Sequence, residues 1–99
     1  MAAALTEQER DRLAELFGVL GDRTRIRIAW ALSEKELCVK DLATLLEMNQ
    51  PAVSRALKEM RLLRIVAARH ERQFVYYRLN EGHIRSLLAE AYEHARSIA

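Results

Sequence analysis

Residues 49–61 sort their side chains so sharply that they constrain everything around them. Asn49 has the chemistry of a helix N-cap, and Pro51 sits just inside, where its missing N–H costs nothing. At about 100° per residue, Ala52, Val53, Ala56, Leu57 and Met60 fall on one contiguous arc. Gln50, Ser54, Arg55, Lys58 and Arg61 take the opposite arc, with Glu59 at its border. Such an exposed arc offers amide, hydroxyl, guanidinium and ammonium groups, which suit base edges and phosphates. Taken alone, the pattern also describes an ordinary solvated amphipathic helix.

The neighbouring segments narrow the choice. Val39-Lys40-Asp41-Leu42-Ala43-Thr44-Leu45-Leu46-Glu47 has apolar residues at 42, 45 and 46, a helical spacing, and the polar link Met48-Asn49-Gln50 leads into the next helix. Helix, tight turn and helix make a helix-turn-helix, whose second member enters the major groove of DNA. Residues 65–79 change period. Val66 and Ala68 alternate with Ala67 and Arg69, and Phe74-Val75-Tyr76-Tyr77 is aromatic and β-branched. The polar break His70-Glu71-Arg72-Gln73 divides two strands of a hairpin, or wing. Without Gly or Asn-Gly to mark a tight turn, a loop of about four residues is expected.

Charge follows the same division. Residues 52–80 hold seven Lys/Arg against two Glu, a balance of +5, while residues 1–51 balance at −2 and 81–99 at −1. Positive charge gathered on one helix and hairpin is the footprint of a nucleic-acid binder. A membrane-surface helix would need a free apolar face, which residues 50–61 use for the core. Ninety-nine residues are expected to form a single domain spanning 1–99, and a hydrophobic content of 51% is generous for that size. Part of that apolar surface is therefore expected to meet a second subunit. The one cysteine, Cys38, excludes an internal disulfide and fits a reducing cytoplasm. No apolar run approaches 18 residues, and Met1-Ala2-Ala3-Ala4 lacks the regions of a signal peptide. An enzyme is not expected: there is no Gly-rich phosphate loop and no Cys–His or Ser–His–Asp set, and the three histidines are scattered. His70 reads most simply as a turn residue.

The flanking segments supply the apolar surface. Thr6 and Glu9 form a capping-box pair, and Leu13, Leu16, Phe17 and Leu20 then recur at helical spacing up to Gly21. Asp22 can cap a helix over 23–32 that carries Ile26 and Trp30. Its Arg23, Arg25 and Arg27 are expected to be solvated or paired with carboxylates, with a supporting phosphate contact as the lesser alternative. A last helix from about Glu81 carries Ile84, Leu87, Leu88, Ala91, Ala95 and Ile98 on one stripe. Apolar stripes at both ends of the chain predict a homodimer through the terminal helices, with two reading heads for a pseudo-palindromic site. The expected fold is mainly α, a winged helix-turn-helix of about five helices plus a two-stranded wing.

In element order and in several separate blocks, residues 14–96 resemble the ArsR/SmtB winged-helix repressors of bacteria. The blocks are Leu16-Phe17 with Leu20-Gly21-Asp22-Arg23-Thr24-Arg25, and Glu36-Leu37-Cys38-Val39 with Asp41-Leu42-Ala43. Gln50-Pro51-Ala52-Val53-Ser54-Arg55 and Val75-Tyr76-Tyr77-Arg78-Leu79 complete the match. The resemblance implies a homodimer that represses an operator on double-stranded DNA and releases it when a metal binds. Gln50, Ser54 and Arg55 are then expected at bases, Lys58 at phosphate, and Arg72 with Gln73 at the neighbouring minor groove or backbone.

Two metal positions follow from the resemblance. Members that bind a soft metal near the helix-turn-helix carry Cys-Val-Cys, whereas this chain has Cys38-Val39-Lys40, so a ligand is replaced by a cation. Cys38 is accordingly expected to be a small buried residue. On the last helix, the positions matching a zinc, cobalt or nickel site are Glu81, His83, His94 and Ser97. Eleven residues at ~1.5 Å rise set His83 and His94 about 16 Å apart, so they cannot share a metal within one chain. Antiparallel pairing of two such helices brings His83 of one subunit beside His94 of the other. Ser97 is a poor zinc ligand; Glu90, four residues before His94, water or the chain terminus are alternatives for the fourth position. Zinc is the first expectation, as allosteric effector rather than catalyst. A regulator of the same fold that answers another signal, and a winged-helix protein-interaction module, are the alternatives.

Overall fold

In the computed structural model, residues 3–80 and 82–98 are described. Thr6 and Glu9 close the expected capping box: the Glu9 amide donates to Thr6 Oγ1 at 3.1 Å and the Thr6 amide to Glu9 Oε1 at 2.9 Å. That box opens helix α1, Glu7–Leu20. Helix α1 ends at Gly21, whose amide donates to the Phe17 carbonyl at 2.7 Å. A Cβ at Gly21 would lie 2.9 Å from that carbonyl oxygen, so the corner accepts glycine for its closeness rather than for an unusual φ. Asp22 then accepts from the Arg25 amide at 3.0 Å and caps α2, Arg23–Glu34.

A two-residue strand β1, Leu37–Cys38, leads directly into α3, Val39–Leu46. Helix α3 stops at Glu47, which takes φ 55° in the left-handed region and donates its amide to the Ala43 and Thr44 carbonyls. A non-glycine residue there costs on the order of 1 kcal/mol, which the closed helix end offsets. Helix α4 follows, Gln50–Leu62, and then the hairpin of β2, Val66–Glu71, and β3, Phe74–Leu79. Helix α5, Gly82–Arg96, completes the order.

The sheet contains the expected two-stranded wing, β2 with β3, extends it by one strand and corrects its turn. It has three antiparallel strands, ordered β1-β3-β2, because Leu37 and Cys38 pair with Tyr77 and Tyr76. The hairpin closes through two residues, not about four: Glu71 pairs with Phe74, leaving only Arg72 and Gln73 in the turn. Arg72 sits at φ 60° and Gln73 does not share its positive φ, so a non-glycine residue adopts the left-handed conformation that hairpin turns need.

The core lies where α2, α3 and α4 meet the sheet. Ile28, Leu42, Val53, Leu57, Met60 and Ile65 are completely buried, joined by Ile84 and Leu88 from α5. Among the described residues, every buried side-chain nitrogen or oxygen has a hydrogen-bond partner. Helix α1 is different. Of its residues only Leu20 is buried, while Leu13 and Phe17 stand 43% and 56% exposed. The radius of gyration, 14.6 Å, exceeds the ~13 Å usual for a compact chain of this length. The described chain therefore projects an apolar edge that its own core does not cover. None of its helices is long and apolar enough to cross a membrane.

Candidate nucleic-acid interface

Asn49 positions the surface that matters most. Its Oδ1 accepts from the Ala52 amide at 2.8 Å, and Pro51 occupies the first turn of α4. The helix then turns Val53, Ala56, Leu57 and Met60 into the core, with Ala52 half-buried beside them. Gln50, Ser54, Arg55, Lys58 and Arg61 all emerge on the solvent side, as their periodicity predicts. Arg55, Lys58 and Arg61 make no ion pair among the described residues. They are cations available to an outside anion.

Helix α3 crosses the core end of this unit through buried Leu42 and Ala43. The Arg27 guanidinium on α2 donates to the Leu46 carbonyl at 2.7 Å and satisfies the C-terminal end of α3. Arg72 and Gln73 lie exposed at the tip of the hairpin, in its two-residue turn. His70, opposite Val75 on the ladder, belongs to strand β2 and not to the turn.

Charge on the wing is less free than the sequence balance implies. Arg69 donates to Glu36 at 2.8 Å and to Glu71 at 2.8 Å, and its guanidinium lies over the Tyr76 ring, 4.9 Å from the centroid. Hydrogen bonds to Glu71 and then Glu36 hold the Arg69 pKa above its ordinary value. Arg25, on α2, donates to the Glu59 carboxylate on α4 and to the Val19 carbonyl on α1 at 3.3 Å. The Arg69–Glu36 and Arg25–Glu59 pairs are not visible in local spacing, since 33 and 34 residues separate the partners. The α2 arginines are solvated or paired as expected: Arg25 pairs with Glu59, while Arg23 and Arg27 are exposed.

The residues expected at a metal occupy a second region. Glu81 lies outside the described residues. His83 and His94 are both exposed on α5, and His83 lines a groove of about 390 Å³ with Leu16, Leu63, Arg64, Asn80, Ile84 and Leu87. Ser97 Oγ donates to the His94 carbonyl at 2.6 Å. Among the described residues of the one chain, no three His, Cys, Asp or Glu side chains cluster as metal ligands. Cys38 is buried on β1, 7% exposed. Around the α5 residues runs the uncovered apolar edge: Ala91, Tyr92, Ala95 and Ile98 are exposed, and a shallow groove links Phe17, Ile26, Leu87 and Ala91.

A helix-turn-helix followed by a hairpin, with cations along the second helix that make no ion pair among the described residues, defines a winged helix-turn-helix fold. The sequence pattern of the bacterial regulatory proteins of the arsR family matches residues 22–68. The chain is 38% identical over 96 residues to a cadmium resistance transcriptional regulatory protein CadC homologue of Staphylococcus aureus, covering 96% of this chain and 79% of that one. It therefore belongs to the ArsR family of bacterial transcriptional regulators, and it is not an enzyme. A transcriptional repressor SmtB homologue of Synechocystis is 37% identical over 86 residues, and there the match covers 87% of this chain but 65% of the relative. Among solved structures, the homodimeric winged helix-turn-helix DNA-binding domain of Mb0332 from Mycobacterium bovis is similar. Its TM-score is 0.86 at 26% identity, over 99% of this chain and 93% of that one.

Proposed function

We propose that the chain acts as a homodimeric repressor that binds operator DNA and releases it in response to a divalent metal, zinc first. The observation that carries the DNA reading is the α4 surface. Gln50, Ser54, Arg55 and Lys58 are exposed on one arc, and Arg55 and Lys58 have no competing carboxylate among the described residues. In this reading Gln50, Ser54 and Arg55 approach base edges, Lys58 meets phosphate, and Arg72 and Gln73 reach the flanking backbone or minor groove. The uncovered edge of α1 and α5 supports pairing about a two-fold axis, as in the homodimeric Mb0332 domain. Two reading heads then face half-sites one helical turn apart.

For the effector, the donor set is a carboxylate and two imidazoles, Glu81 and His83 of one subunit with His94 of the partner subunit. Glu90, exposed one turn before His94, is available to complete it. Borderline nitrogen and oxygen ligands of this kind suit zinc, and the CadC homologue carries cadmium resistance in its name. Because His83 and His94 stand too far apart within one helix, the residues can act together only between subunits. Their juxtaposition then depends on dimer geometry, the variable that also sets the spacing of the reading heads.

The test is fluorescence anisotropy of a labelled duplex selected by the wild-type protein from a randomised pool, titrated with and without zinc. Zinc is expected to weaken wild-type binding roughly 5–150-fold, the usual range of allosteric coupling, and to leave His94→Ala unaffected. A His94→Ala variant that still releases DNA on zinc addition would remove this site from the switch. One observation favours a second reading. Arg64 shares the groove of His83, so a cation borders the ligand set. Tight duplex binding indifferent to zinc, cobalt and nickel would identify a regulator of the same fold that answers another signal.

A further inference from the structure

Glu59 is the one acidic side chain on α4, and it lies four residues after Arg55, the spacing at which helix side chains pair. Left to itself, its carboxylate is the natural local partner for the Arg55 guanidinium. In the structure it is engaged elsewhere: Arg25 on α2 donates to Glu59 Oε2, and Arg55 makes no ion pair among the described residues. Arg25 is well placed for this. Its own amide is held by the Asp22 cap at 3.0 Å, its Nη1 donates to the Val19 carbonyl at 3.3 Å, and its side chain is only 21% exposed. With the backbone amide capped and the guanidinium held at two points, the side chain keeps one orientation, and its planar fork suits a carboxylate.

We propose that Arg25 is a positioning residue for DNA recognition. By holding Glu59 against α2 it withholds that carboxylate from Arg55 and leaves the Arg55 guanidinium free for DNA. The inference rests on the reading of α4 as the DNA-binding helix. It differs from a merely structural role in one consequence: the harm done by losing Arg25 comes through Glu59, so removing Glu59 as well restores binding.

The experiment compares wild type, Arg25→Gln, Glu59→Gln and the double variant Arg25→Gln/Glu59→Gln on a duplex selected by the wild-type protein from a randomised pool. Affinity is measured across a salt series, and each variant's melting temperature is recorded beside it. Lys35→Gln, which removes an exposed cation at the far end of α2, controls for net charge. Arg25→Gln is expected to weaken binding on the order of three- to tenfold and to lower the salt slope by about one phosphate contact, more than Lys35→Gln does. The double variant is expected to recover wild-type affinity and slope while its melting temperature stays lowered. If Arg25→Gln binds like wild type, or the double variant stays as weak as Arg25→Gln, the proposal is overturned. Wild-type protein that selects no duplex overturns the DNA-binding reading itself, an outcome distinct from the other two.

Discussion

The Arg69 guanidinium on β2 donates to the Glu36 carboxylate, one residue ahead of β1, at 2.8 Å, and so ties the wing to the strand that starts the helix-turn-helix. It also accounts for which wing cations remain available. Arg69 is shared between Glu36 and Glu71, whereas Arg72 stands in the turn with no ion pair among the described residues. Arg72→Gln is therefore expected to weaken duplex binding and lower the salt slope by about one contact. Arg69→Gln should change the slope little. Equal losses of slope in both variants would contradict this assignment.

The corner at Gly21 allows a sharp test of the fold. A methyl group there would meet the Phe17 backbone carbonyl at 2.9 Å, and a carbonyl within a helix cannot swing aside as a flexible side chain can. Gly21→Ala is expected to destabilise the protein by about 1–3 kcal/mol, the usual range for overpacking. Denaturant unfolding reads this directly, whereas Gly18→Ala, where a Cβ meets nothing within 4 Å, should be neutral or slightly stabilising.

Two leucines of α4 separate core from surface. Leu57 is completely buried and Leu62 is 79% exposed. Leu57→Ala should cost about 2–5 kcal/mol, enough to threaten folding at this chain length. Leu62→Ala should stay within about 0.5 kcal/mol. A large loss at Leu62 that appears only as protein concentration rises would place that residue at a contact between chains instead.

The parts legible in the sequence were those decided by neighbours within one turn. Thr6 with Glu9, Asp22 and Asn49 announce helix starts because capping chemistry is local, and the structure shows each of these caps. The two arcs of α4 follow from periodicity, since burying Val53 and Leu57 forces Ser54 and Lys58 outward. What escaped was non-local or carried no compositional mark. Two residues cannot display an alternating pattern, so β1 becomes visible only when Tyr76 and Tyr77 pair with it. The tight wing turn was hidden because Arg72, rather than glycine or asparagine, takes the positive φ. Arg25 with Glu59 and Arg69 with Glu36 join elements far apart in the chain; one takes up a carboxylate of residues 52–80 and the other a cation, so they leave the summed charge unchanged but decide which side chains are free. The proposed set of Glu81, His83 and His94 comes from the resemblance, and among the described residues of one chain no three such side chains cluster.

The most direct test of the account is the salt dependence of duplex binding by wild type and Arg55→Gln, each on the selected duplex and on a scrambled one. The account predicts steep salt dependence for wild type, with a clear preference for the selected sequence. It predicts that Arg55→Gln loses most of that preference while remaining folded. An Arg55→Gln variant with the affinity, slope and preference of wild type would show that the exposed face of α4 is not what reads the DNA.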